Sequence, residues 1–156
     1  MLNLDLQTHA DNLDKLPDLH GNRCHVFVLD DFCDRALPDR LLSGHLPRAI
    51  AGEVHDVAVD LRRGSPGFGQ WYGVRLSPEK RLQGWAPEGF THGFVVLSDY
   101  TELLYKTKDY WAPKDKRRFA WNDPQLAIDR QLEAAAPATS AKDAQGLSLH
   151  RAETFP

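Results

Sequence analysis

The stretch EVHDVAVDL, Glu53–Leu61, alternates between two kinds of side chain. Val57, Val59 and Leu61 fall on one face of an extended chain. The opposite face carries Asp56, Ala58 and Asp60. A period of two is typical of a β-strand, because successive side chains point to opposite sides of a sheet. The stretch therefore predicts a half-buried strand whose apolar face packs on a core.

Other short runs of this kind follow along the chain and are separated by turn-forming residues. Glycine and proline dominate RRGSPGFG, 62–69, and SPEK, 77–80, is a second turn. The strand-like runs around these turns are QWYGVRLS, 70–77, GFVVLS, 93–98, and TELLYKTK, 101–108. Strands at this spacing, without a convincing long helix between them, predict an all-β protein with an antiparallel sandwich or barrel, and a double-sheet jelly roll is the architecture we expect.

The chain changes character near Gly44. Residues 1–44 are rich in acids and prolines and contain one clean strand-like run, HVFVLDDF. We expect a divergent N-terminal segment, 1–44, and a jelly-roll domain, 45–156, within one structural domain. The Ala-rich stretch near the C-terminus is expected to be a short helix or an irregular tail. Residues predicted to be largely buried are Val57, Val59, Leu61, Val74 and Leu76.

Composition excludes several classes of function. The chain has 156 residues, 42% of them hydrophobic, and a net charge of -3, so it carries no basic stripe for nucleic acid. Its apolar runs are only a few residues long, which predicts no membrane span. The two cysteines, Cys24 and Cys33, are too few for a disulfide framework, and reduced thiols in a cytoplasmic protein are the simplest interpretation.

One histidine, His92, stands between two Gly-Phe pairs in GFTHGF, 89–94. Glycine lets a ligand approach the backbone closely, and Phe90 and Phe94 would form a pocket wall. A histidine in this place could donate a hydrogen bond to an anionic oxygen. The alternative is an inert histidine near a strand end with an ordinary hydrogen bond.

Tyr105 shares a strand face with Leu103 and Thr107. Its hydroxyl would be a proton donor if it pointed into a cavity, and otherwise it is a core or rim tyrosine. A metal centre is not expected, because none of the seven histidines forms the His-x-His pair common in metal-binding jelly rolls.

Longer motifs resemble those of the dTDP-4-dehydrorhamnose 3,5-epimerase family, in the family's order from about Arg48 to Gln145. They are GEVHDVAVDLRRGSPGFGQWYGVRLS, WAPEGFTHGFVVLSD, YKTKDYWAPKDKRRFAWNDPQLAID and SAKDAQ. The resemblance implies a cupin-type jelly roll, a double-stranded β-helix. It implies a homodimer that acts on dTDP-4-keto-6-deoxy-glucose, in dTDP-L-rhamnose biosynthesis, without a metal or redox cofactor.

The resemblance also implies roles for individual residues. Tyr105 matches the family's acid, and Asp143 in SAKD matches the aspartate that orients its base. His92 matches a histidine near the substrate. His45 stands where the family has a lysine beside the substrate ketone, in HLPR, 45–48. Trp111 stands where a second tyrosine is common in the family. His45 and Trp111, like His92, are expected to bind the substrate.

The family's base histidine belongs to an Arg-Gly-Leu-His motif that this chain lacks. Residues 1–44 are therefore either a divergent or rearranged region, or a replacement that supplies another base. An alternative function is a non-catalytic relative that binds a nucleotide sugar or only forms a dimer. A metal-dependent cupin enzyme is disfavoured by the histidine spacing.

We expect His92 and Tyr105 to point into one cavity, on neighbouring strands of a hairpin around Asp99-Tyr100, with Phe90 and Trp111 in its wall.

Overall fold

The computed structural model describes residues 27–31, 45–107, 117–129, 131–132, 137–141 and 143–156. These ranges contain seven β-strands and almost no helix, which confirms the all-β prediction. The strands are β1 Phe27–Asp31, β2 His45–Ala51, β3 Val54–Asp60, β4 Trp71–Leu76, β5 Phe90–Val96, β6 Glu102–Thr107 and β7 Arg117–Arg118. Among the described residues, no helix is long and apolar enough to cross a membrane.

The strands form two antiparallel sheets. The larger sheet has the order β4-β3-β5-β1-β7, and the smaller sheet pairs β2 with β6. Consecutive strands β5 and β6 therefore belong to different sheets, so the expectation that they form a hairpin around Asp99-Tyr100 is wrong. The physical reason is that both edges of β5 are already paired, one with β3 and the other with β1.

β3 lies inside the larger sheet and is buried on both faces, not on one as its alternation suggested. Val57 and Val59 are fully buried as predicted, and so are Leu61 and Leu76. β4 lies at the sheet edge, where Val74 is only partly buried. The apolar side of β3 could be predicted from the sequence, but the alternation did not show that its polar side faces the sandwich interior, towards β2 and β6.

The outer face of the larger sheet is covered by residues 119–129 and 147–155, here called the covering segments. Backbone hydrogen bonds between residues 61–63 and Phe155 tie their end to the loop after β3. Residues 147–155, which follow the Ala-rich stretch, are thus part of the core. This outer core consists of Val57, Val59, Leu61, Val95, Phe119, Leu126, Ile128 and Ala152.

The inner face of the larger sheet packs towards β2 and β6. Its apolar part is built from Ala49, Val54 and Leu76, with Val74, Phe94, Val96 and Leu103 packed against them. Further along the same interior, the side chains of β3 and β5 become polar at Asp56 and His92. The sandwich therefore has one apolar end and one polar end, and the polar end positions the candidate site.

Candidate functional site

Four strands each bring one polar side chain to the polar end of the interior. His45 comes from β2, Asp56 from β3, His92 from β5 and Tyr105 from β6. In the larger sheet Ala58 is the register partner of His92, so Asp56 reaches His92 diagonally. In the smaller sheet Tyr105 is opposite Pro47, next to His45 on the same face of β2. The two sheets thus deliver these side chains to one place.

The rings of three predicted site residues meet there. The His45 and His92 rings are stacked, with centroids 6.1 Å apart and planes at 16°. Tyr105 meets His92 edge to face, with centroids 6.1 Å apart at 84°. The Phe94 ring also packs against Tyr105, with centroids 6.2 Å apart. His45 and His92 are only 4% and 5% exposed, so hydrogen bonds that these rings make are shielded from water.

Asp56 is a site residue that the sequence analysis did not single out. Its Oδ1 lies 2.5 Å from Nε2 of His92, and both side chains are buried. The alternation placed Asp56 on the polar face of a half-buried strand, where an exposed carboxylate is unremarkable. Its partner is 36 positions away in the sequence. In the sequence, nothing about Asp56, an acid on the same strand face as Asp60, indicated that its carboxylate would be buried and hydrogen-bonded to a histidine.

β2 is pinned at this end of the sandwich by residues 84–86. His45 exchanges two backbone hydrogen bonds with Ala86, at 2.9 and 3.0 Å, and the Gly84 N–H donates to the Pro47 carbonyl at 3.0 Å. In a strand, the N and C=O of one residue point to the same side. The backbone nitrogen and carbonyl of Pro47 therefore both face residues 84–86 and not β6. The missing N–H of the proline removes no hydrogen bond between β2 and β6.

Phe90 was predicted to form a wall of the pocket, and its described contact is with Arg62. The guanidinium carbon of Arg62 lies 4.8 Å from the Phe90 ring centroid, a cation–π geometry. The same guanidinium bonds the buried Asp60 carboxylate, and these hydrogen bonds lower the pKa of Asp60 to about 2. Asp60 is thus held ionised on the same strand face as Asp56.

Asp143 begins a short 3-10 turn, Asp143–Gln145, that contacts β1. Its side chain is buried, and Oδ2 accepts a hydrogen bond from Oγ of Ser140 at 2.5 Å. Trp111 lies outside the described residues, so its predicted place in the pocket stays a prediction. Within the ranges that the structure describes, no three His, Cys, Asp or Glu side chains group as metal ligands.

A buried imidazole held by a carboxylate, with a phenol at its edge, can donate hydrogen bonds to a substrate oxygen and exchange protons with it. Fold and site together define a cupin-type jelly-roll protein with a histidine site at one end of the sandwich. The sequence profile of the dTDP-4-dehydrorhamnose 3,5-epimerase family matches residues 40–151. The chain belongs to this family.

Individual epimerases of this family are also similar to this chain in sequence. An epimerase of this name from Pseudomonas aeruginosa is 59% identical over 117 residues, which are 75% of this chain and 64% of that protein. The Salmonella typhimurium enzyme of the same name is 50% identical over 109 residues, 70% of this chain and 59% of that protein. The crystal structure of a Legionella pneumophila dTDP-6-deoxy-D-glucose-3,5-epimerase, in complex with dTDP-4-keto-L-rhamnose, is 43% identical with a TM-score of 0.72.

The Legionella structure matches 81% of this chain and 64% of its own. This chain therefore spans less than two thirds of the length of each of these three relatives.

Proposed function

We propose that the chain is a dTDP-4-dehydrorhamnose 3,5-epimerase-like isomerase that acts on dTDP-4-keto-6-deoxy-glucose in dTDP-L-rhamnose biosynthesis. The observation that carries this proposal is the meeting of His45, His92 and Tyr105 at the buried polar end of the sandwich, in a chain of this family. The names of the relatives support the reaction, and the sugar nucleotide in the Legionella structure supports the class of substrate.

The chemistry depends on the C4 ketone of the sugar, which acidifies the protons at C3 and C5. A base removes each proton and leaves an enolate, and an acid returns a proton to the opposite face. Donors fixed in a water-excluded site stabilise the negative charge that develops on the ketone oxygen. We assign this contact with the sugar to His92 and the return of the proton to Tyr105.

The remaining roles rest on the resemblance and on local structure. We assign Asp143 to orienting the base, and its burial and its hydrogen bond with Ser140 support a fixed carboxylate. We assign His45 and Trp111 to binding the substrate.

Because the Arg-Gly-Leu-His motif is absent, the family's base is missing from its usual place. A positioned base commonly contributes about 10²–10⁴-fold to such a step, so we expect strongly reduced epimerisation.

Deuterium incorporation from solvent at C3 and C5 of dTDP-4-keto-6-deoxy-glucose tests the proposal, because it reports proton abstraction directly. We expect slow exchange in the parent chain, and a further loss in His45→Ala and in Tyr105→Phe. His150→Ala is the matched control for His45→Ala, since the His150 side chain is exposed and does not belong to the ring cluster. The control should exchange at the parent rate.

Two other outcomes are informative. Exchange at the rate of a working enzyme, unaffected by His45→Ala, would contradict the expected loss and point to another base, such as His20 or His25. Binding of the sugar nucleotide with no exchange at either carbon would instead support the non-catalytic relative. We also propose that the chain forms a homodimer, as the resemblance implies.

A further inference from the structure

The carboxylate of Asp56 is buried beside His92, away from bulk water. Burying a charge is costly unless a hydrogen-bond donor compensates it. Among the residues that the structure describes, the donor that reaches Asp56 is Nε2 of His92, at 2.5 Å. Asp56 and His92 are 4% and 5% exposed, so water cannot readily replace either partner. The two side chains therefore depend on each other.

Gly84 fixes the other side of this carboxylate. A Cβ atom at position 84 would lie 2.7 Å from Oδ2 of Asp56 and 3.0 Å from Cγ of Pro47. Real Cβ atoms do not approach an oxygen so closely, so a larger residue at 84 would displace the carboxylate or the strand that carries Pro47. The Asp56 side chain is thus held between His92 on one side and the backbone of Gly84 on the other.

This arrangement determines how the His92 ring is presented. Because a carboxylate oxygen accepts, Nε2 of His92 carries a proton and donates it to Asp56. Nδ1 is then the ring nitrogen left for the sugar, and it donates to the ketone oxygen when the ring carries both protons. The ring is then confined by His45, stacked on its face, and by Tyr105 at its edge. Rotation of the imidazole away from the site would break the bond with Asp56 and lose both ring contacts.

We propose that Asp56 is a positioning residue of the site: together with Gly84, it locks the His92 imidazole in the orientation in which His92 contacts the keto sugar. Asp56 acts through His92 and does not itself touch the substrate. This inference rests on the proposed function for the identity of the sugar. The link between Asp56, Gly84 and His92 is a property of the free protein and is tested separately.

The first test is the proton NMR signal of the His92 Nε2–H in the ligand-free chain, assigned by its loss in His92→Gln. A carboxylate-held N–H gives a downfield signal that exchanges slowly with water. We expect Asp56→Ala to abolish it and Asp56→Asn, whose amide oxygen can still accept, to retain it with a smaller downfield shift. Gly84→Ala should abolish it although the carboxylate is still present.

Asp60→Asn is the matched control. Asp60 lies on the same face of β3 and is equally buried, but its partners are Arg62 and Ser65. The control should keep the His92 signal. Folding of each variant is checked by its melting transition. A signal that persists unchanged in folded Asp56→Ala would overturn the proposal.

The second test is binding of dTDP-4-keto-6-deoxy-glucose and of dTDP alone, by calorimetry. Asp56→Ala and Gly84→Ala should each bind the keto sugar about tenfold more weakly, because a charge-supported hydrogen bond to the sugar is lost. Their affinity for dTDP should be unchanged. Equal affinities in parent and variants would contradict the positioning role. If the parent binds neither ligand, the proposed function fails, while the NMR result still decides whether Asp56 holds His92.

Discussion

Asp60 is a fully buried carboxylate that the loop after β3 satisfies with hydrogen bonds. Oδ1 accepts from the backbone N–H and the Nε of Arg62, at 3.0 and 2.9 Å. Oδ2 accepts from Nη2 of Arg62 at 2.7 Å and from the Ser65 hydroxyl at 2.6 Å. These donors keep the pKa of Asp60 at about 2, although burial alone would raise it. One residue thus ties the glycine-rich loop to the sheet.

We predict that Asp60 contributes an acid-sensitive part of the stability. Its pKa is lower in the folded chain than in the unfolded chain, where it is near 4, so the contribution is present above pH 4 and is lost as the pH falls towards 2. Solvent around the half-exposed Arg62 limits this contribution to about 1 kcal/mol. Urea unfolding of the parent and Asp60→Asn at pH 7, 4 and 3 would measure it.

The difference in unfolding free energy between parent and Asp60→Asn should shrink between pH 4 and pH 3. Glu53→Gln is the control, because Glu53 forms a surface ion pair with Lys80 at 3.0 Å and such pairs contribute little. A difference that stays constant down to pH 3 would contradict the prediction.

Within the larger sheet, the environment of the side chains on the outer face of β3 depends on the covering segments packed over them. His55 points to this face, is 2% exposed, and lies beside Gln131, two residues after the covering segment 119–129. Burial lowers the pKa of His55; Gln131, Asp129 and Asp56 act in the opposite direction, and Arg75 acts with burial. The packing of the covering segment on β3 therefore favours a neutral His55.

We predict that His55 makes this packing sensitive to mild acid. The pKa of His55 is lowered on folding. Below about pH 6.5 the unfolded chain therefore binds more protons at His55 than the folded chain does, and the free energy of unfolding falls as the pH decreases. His55→Leu should flatten the dependence of the unfolding free energy on pH between pH 7 and pH 5. His150→Leu, at an exposed position, should leave the dependence as in the parent. Equal slopes for the parent and His55→Leu would rule this out.

Among the residues that the structure describes, the larger sheet ends in β4 on one side, and the smaller sheet has two strands. Tyr72 on β4 is 60% exposed, and the loop residue Tyr100 is also exposed. Strand edges and apolar side chains of this kind gain from pairing with another chain. This agrees with the homodimer that the family resemblance implies.

We predict a homodimer in solution. Sedimentation velocity at micromolar concentration should give about twice the mass of the 17.6 kDa chain, because symmetric pairing is the commonest way to cover such edges. The same measurement on Tyr72→Lys tests whether the β4 edge takes part, and the mass should then fall towards that of one chain. A parent that sediments as a monomer would contradict the prediction.

The local strand pattern and the family could be predicted from the sequence, because both depend on residues that are neighbours along the chain. Alternation around Val57 and Val59 indicates a strand and its apolar side whatever the strand packs against. Glycines and prolines mark the turns for the same reason. The ring cluster was also partly predictable: the resemblance named His45, His92 and Tyr105, and the structure brings all three rings together.

Only the folded chain shows which strands pair and which buried polar side chains meet. A period of two says which side chains share a face, but it does not say what covers that face, so β3 was expected to be half exposed and is buried on both sides. β6 pairs with β2 and not with β5, because β3 and β1 occupy both edges of β5. The bond between Asp56 and His92 joins neighbouring strands 36 positions apart, and only long-range sheet register brings such groups within hydrogen-bond distance.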